Sequence, residues 1–80
     1  MRDTVKKVEV GIQYQFTMFS EKHKPIATTV YAESRQDFVF RKKPFRDALI
    51  KICTKRGWSM KDLEDNGYGK WKVRKLEVTD

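Results

Sequence analysis

The sequence predicts an α+β class, a small two-layer domain with an antiparallel β-sheet of about three strands, order ββαβ, and one main helix packed on one face. Six apolar side chains, Val8, Val10, Ile12, Tyr14, Phe16 and Met18, fall at every second position, the period of a strand with one buried face. Phe45, Ala48, Leu49, Ile52 and Cys53 follow the i, i+3, i+4, i+7, i+8 spacing of a helix with one apolar stripe. At 80 residues, of which 39% are hydrophobic, the chain has room for a single domain, residues 1–80, with one helix on one sheet.

The alternation predicts a first strand from about Lys6 to Phe19. Ser20 to Pro25 then reads as a polar connection. It contains neither Asn-Gly nor Asp-Gly, so a longer hairpin loop is expected rather than a two-residue turn. His23 in that loop is expected to be solvated. Residues Ile26 to Glu33 alternate again and predict a second strand, antiparallel to the first, with Ile26, Val30 and Ala32 inward and Thr29 and Tyr31 outward.

Residues 34–43 support two readings. Ser34 with Asp37 has the spacing of a capping box, whereas Phe38-Val39-Phe40 has the composition of a short strand. Pro44 places the start of the main helix, because proline is favoured in a first turn and costs about 3 kcal/mol in a helix interior. Gly57 is the expected left-handed terminator, with Lys55 and Arg56 complementing the helix dipole in the last turn. Ser59 and Asp62 predict a short capped turn or helix over Met60 to Glu64, closed by Asn66-Gly67. In the last run, Lys70 to Val78, Trp71 and Val73 share one phase and Leu76 and Val78 the other. This predicts either a bulge near Arg74-Lys75 or a strand that ends there.

Composition narrows the function. The 36% charged content and the absence of a long apolar run exclude a membrane span, and the N-terminal residues lack the apolar core of a secretory signal. A cytoplasmic location is expected. Cys53 is the only cysteine and His23 the only histidine, so neither an intrachain disulfide nor a zinc ligand set can be assembled from such residues. Cys53 falls on the apolar side of its helix, which makes it a small hydrophobe rather than a nucleophile. Gly67-Tyr68-Gly69-Lys70 is too short for a phosphate loop and leads into a strand. Asp62, Glu64 and Asp65 lie in a charged turn with no sign of the burial that tunes an acid or base. No enzyme and no cofactor are expected.

The charge is lopsided. Lys and Arg number 18 against 11 Asp and Glu, a net of +7. Residues 1–33 carry five basic and four acidic side chains, whereas residues 34–80 carry thirteen and seven, so most of the excess lies in the later portion. Such asymmetry favours a polyanionic partner. Two surfaces fit DNA or RNA. The first is Arg41, Lys42, Lys43 and Arg46 at the start of the main helix, where backbone N–H groups also favour an anion. The second is the uncovered sheet face, where Gln13, Gln15, Thr17, Thr29 and Tyr31 stand beside Lys72 and Arg74. Amides and hydroxyls read base edges, an aromatic stacks on an unpaired base, and cations hold phosphate.

Gln and Thr are also ordinary on an open sheet face, and lysine on a solvated helix. The alternative is a small regulatory or inhibitor protein, of the type found in phages and mobile elements, acting on a protein partner. It rests on Phe19, Tyr31, Ile50, Trp58 and Tyr68, which a two-layer fold does not obviously bury. An exposed sheet edge adds the option of pairing with another strand, so a monomer or a small homo-oligomer is expected. The ββαβ order resembles small sheet-plus-helix DNA-binding domains that lay a three-stranded sheet in the major groove. No residue role is carried over from that resemblance.

Overall fold

Gly11 directly precedes the first described strand and packs its backbone against Ala32. A computed structural model describes residues 11–76, and at Gly11 the backbone takes φ 114°, a region open to glycine alone without strain. A Cβ at this position would stand 2.6 Å from the Ala32 carbonyl oxygen. Among the described residues the first strand, β1, spans Ile12–Phe19. Residues 6–10 of the expected strand lie outside the described residues.

Strand β2, Ile26–Ala32, returns antiparallel to β1, from Ile12 opposite Ala32 to Met18 opposite Ile26. The loop between them is organised by Ser20. Its Oγ accepts from the Lys22 and His23 N–H groups at 2.9 and 3.2 Å and donates to the Asn66 carbonyl at 2.7 Å. Strand β3, Lys70–Lys75, pairs with the other side of β1, from Phe19 opposite Lys70 to Tyr14 opposite Lys75, giving the sheet order β2-β1-β3. The register does not slip, and the Leu76 N–H continues it onto the Gln13 carbonyl at 2.9 Å. No bulge therefore forms at Arg74-Lys75. The strand simply ends, and Leu76 keeps the outward phase.

Within residues 34–43 the chain forms a helical turn rather than a strand. Helix α1, Gln36–Val39, is a single turn in which the Asp37 carboxylate accepts the Glu33 N–H at 3.0 Å. Helical spacing turns Phe38 fully into the core and leaves Val39 and Phe40 exposed. Strand alternation would have turned Phe38 and Phe40 to the same side.

Helix α2, Lys43–Arg56, starts with Pro44 in its first turn and closes at Gly57, φ 69°. There the Gly57 N–H donates to Thr54 O and the Trp58 N–H to Cys53 O, the paired bonds of a Schellman motif. Helix α3, Met60–Asp65, opens with a capping box between Ser59 and Asp62. The same closing pattern follows it, with Gly67 donating to Glu64 O and Tyr68 to Leu63 O.

The helices cover the face that carries Tyr14, Phe16, Met18, Val30 and Val73. Phe16 has no exposed surface and meets the rings of Phe38, Phe45 and Trp71 at centroid distances of 6.0, 5.6 and 5.5 Å. Each fully buried side chain of this kind contributes about 1.5–3 kcal/mol. Tyr68, expected to lie outside the core, is buried, because its hydroxyl reaches the Lys24 carbonyl at 2.6 Å. Trp58, also expected outside, is half-buried against the core.

On each sheet edge a cation caps one outward carbonyl. Antiparallel alternation, fixed by the Leu76–Gln13 bond, turns the Val73 carbonyl away from β1 and the Thr29 carbonyl out of the sheet. Arg35 Nη2 donates to Val73 O at 3.4 Å, and Lys51 Nζ to Thr29 O at 2.8 Å. A charged donor on an outward carbonyl obstructs the addition of another strand.

Candidate nucleic-acid interface

The register that buries Phe16 dictates the opposite face. Gln13, Gln15, Thr17 and Phe19 alternate with the core residues of β1 and point away from the helices. Their cross-strand partners make rows: Tyr31, Gln13 and Leu76; Thr29, Gln15 and Arg74; Ala27, Thr17 and Lys72; then Phe19 and Lys70. Among the described residues this strand-borne face contains no carboxylate, and the flanking loops carry Glu21 and Glu33.

The cations on this face stand on one strand. Lys70, Lys72 and Arg74 are all exposed and repeat every second residue, a spacing of about 7 Å. Arg74 Nη2 donates to Gln15 Oε1 at 3.1 Å. The bond orients the Gln15 amide and leaves its NH₂ group free to donate outward. The aromatics lie toward opposite ends of the face, Tyr31 on edge strand β2 at 40% exposure and Phe19 at the end of central strand β1 at 38%. Beyond Phe19 a hollow of about 370 Å³ opens between the hairpin loop and the Gly67–Lys70 connection, lined by Phe19, Ser20, Glu21, Lys22, Gly67, Gly69 and Lys70.

Of the residues singled out from the sequence, Gln13, Gln15, Tyr31, Lys72 and Arg74 share this face. Arg41, Lys42, Lys43 and Arg46 do not, because they surround the start of α2 in the helical layer. Two of them are engaged there. The Arg41 guanidinium lies 5.2 Å from the Phe45 ring centroid, and Lys43 Nζ pairs with Asp47 at 2.9 Å. The helix start also offers an anion few backbone donors, since Pro44 has no N–H and Phe45 donates to Lys42 O.

Lys70 completes the cationic row; in the sequence it belongs to a basic cluster with Lys72, Arg74 and Lys75 around Trp71, and the pairing of β3 with β1 puts it on the open face beside Lys72 and Arg74. Period-two counting back from Arg74 finds it. Phe19 was visible as an apolar residue without a buried role, and its place beside Lys70 follows from the pairing of β1 with β3.

Other reactive groups lie elsewhere. The Cys53 thiol is buried and donates to the Ser59 carbonyl at 3.7 Å. Burial, and then the nearby Asp62 charge, push its pKa above the ordinary 9.0. Among the described residues no three His, Cys, Asp or Glu side chains cluster in a metal-binding arrangement. No helix among them is long and apolar enough to cross a membrane. Comparison with models of protein families, with curated proteins and with solved structures gives no match.

Proposed function

We propose that this protein binds nucleic acid without catalysing a reaction, through the open face of its sheet. The observation that carries this reading is the row of Lys70, Lys72 and Arg74 beside Gln13, Gln15 and Thr17, on a strand-borne face with no carboxylate among the described residues. Cations supply affinity through phosphate, whereas amides, hydroxyls and an exposed aromatic contact bases. The start of α2 is a weaker phosphate site, with Lys42 and Arg46 left to contribute beside the engaged Arg41 and Lys43.

Fluorescence anisotropy with a mixed-sequence pool of DNA and RNA tests the reading. Affinity is expected to fall steeply with salt. A variant combining Lys70→Ala, Lys72→Ala and Arg74→Ala is expected to lose binding while its circular dichroism stays unchanged. Lys42→Ala, Lys43→Ala and Arg46→Ala together are expected to weaken it less. Full binding by the first variant with loss in the second would move the site to the helix.

A second reading, a regulator that binds a protein, draws support from an apolar hollow of about 250 Å³ on the helical side. Met18, Phe45, Leu49, Met60, Tyr68 and Trp71 contribute to its lining, and Met60 is 47% exposed. A partner retained after nuclease treatment and lost on Leu49→Glu would favour it.

A further inference from the structure

We infer that the sheet face takes a single polynucleotide strand, its phosphates along β3 and its bases laid toward β1 and β2. This rests on the nucleic-acid reading above and names the class of ligand.

The position of the charge carries the inference. A duplex groove is walled by two phosphate backbones, so a sheet seated in it needs cations along both margins. Here Lys70, Lys72 and Arg74 form one file on one edge strand, while the opposite edge strand, Ile-Ala-Thr-Thr-Val-Tyr-Ala, holds no basic residue. Lys51 and Lys55 approach that second edge from α2 on the helical side, beside Thr28, and the Lys51 ammonium is bonded to the Thr29 carbonyl. One file of charge matches one backbone.

The rest of the face suits unpaired bases. Phe19 stands opposite Lys70 across the β1–β3 ladder, so a base whose phosphate sits on Lys70 meets an aromatic surface. Tyr31 offers a second surface at the far corner, across the sheet from the charged strand. Stacking of this kind requires bases freed from pairing. The hollow next to Phe19 is open to one splayed base. Glu21 on its lining accepts from an exocyclic amine, while Lys22 and Lys70 on the same lining are placed to hold the flanking phosphates.

The experiment titrates the full chain with labelled single strands of about 10 nucleotides, as DNA and as RNA of the same sequence, and with the matching duplexes. Single strands are expected to bind at least about tenfold tighter than duplexes. Three phosphate contacts predict a slope of about −2 for log K against log salt. Phe19→Ala and Tyr31→Ala are each expected to weaken single-strand binding roughly 5- to 150-fold, with folding checked by circular dichroism. The DNA and RNA arms identify the sugar, and a preference for either supports the inference.

Duplex binding equal to or tighter than single-strand binding, yet abolished in the Lys70, Lys72 and Arg74 variant, would overturn the single-strand inference and leave the sheet face standing. Unchanged single-strand binding by Phe19→Ala and Tyr31→Ala would also overturn it. Binding that survives the triple variant, or no binding to any oligonucleotide, would overturn both readings.

Discussion

Lys51 Nζ donates to the Thr29 carbonyl at 2.8 Å, so a side chain from α2 occupies the outer edge of β2. Lys51→Met keeps the aliphatic stem and removes the donor. The bond is exposed, and its loss is expected to cost about 1 kcal/mol or less. The larger effect is expected in association, since a bare edge pairs with other chains. Sedimentation velocity should show concentration-dependent dimers in Lys51→Met, and a strictly monomeric variant would mean the edge needs no guard.

Phe16 has no exposed surface and touches three other aromatic rings. Phe16→Ala is expected to cost about 3–5 kcal/mol. A domain of this size has roughly 4–12 kcal/mol in total, so urea titration should show a collapsed midpoint or no cooperative transition. A loss below about 1 kcal/mol would contradict this packing.

Gly11→Ala meets two obstacles, φ 114° and a backbone oxygen 2.6 Å from the new Cβ. A cost of roughly 1–3 kcal/mol is expected from the strained backbone alone, a fall of at least about 4 °C in Tm. Thermal melts of the two proteins, compared at one concentration, measure it.

Cys53 links stability to alkaline pH. Its folded pKa lies above 9.0, raised first by burial and then by Asp62. The unfolded thiol loses its proton first, so above about pH 9 the folded state holds more protons and stability falls as pH rises. Below that the thiol is neutral in both states and adds no pH dependence. Urea midpoints measured across pH 8 to 10 (approximate range) should therefore decline less in Cys53→Ala than in the parent. Parallel declines would remove the thiol from the account.

Local chemistry was readable where a residue has one good use. Pro44, Gly57, and Ser59 with Asp62 marked helix ends because few other residues serve there. The alternation around Phe16 likewise gave the facing of Gln13, Gln15 and Thr29. Residues 34–43 were ambiguous because Phe38-Val39-Phe40 satisfies a strand composition, and the Asp37 bond to the Glu33 N–H favours the helical turn. The apparent phase switch before Leu76 suggested a bulge because periodicity alone cannot show where a strand stops. Tyr68 was misjudged because its burial depends on Lys24, 44 residues away in sequence. The candidate face was visible residue by residue, but the single file of charge required knowing that β3 lies beside β1.

That adjacency has a consequence during synthesis. Gln15 finds its neighbour Arg74 59 positions later, so the sheet cannot close until the last strand has left the ribosome. Until Lys75 clears the ribosome, one flank of the middle strand stays open and Trp71 is missing from its place against Phe16. A chain truncated before Lys70 should therefore be protease-sensitive, and the full chain resistant.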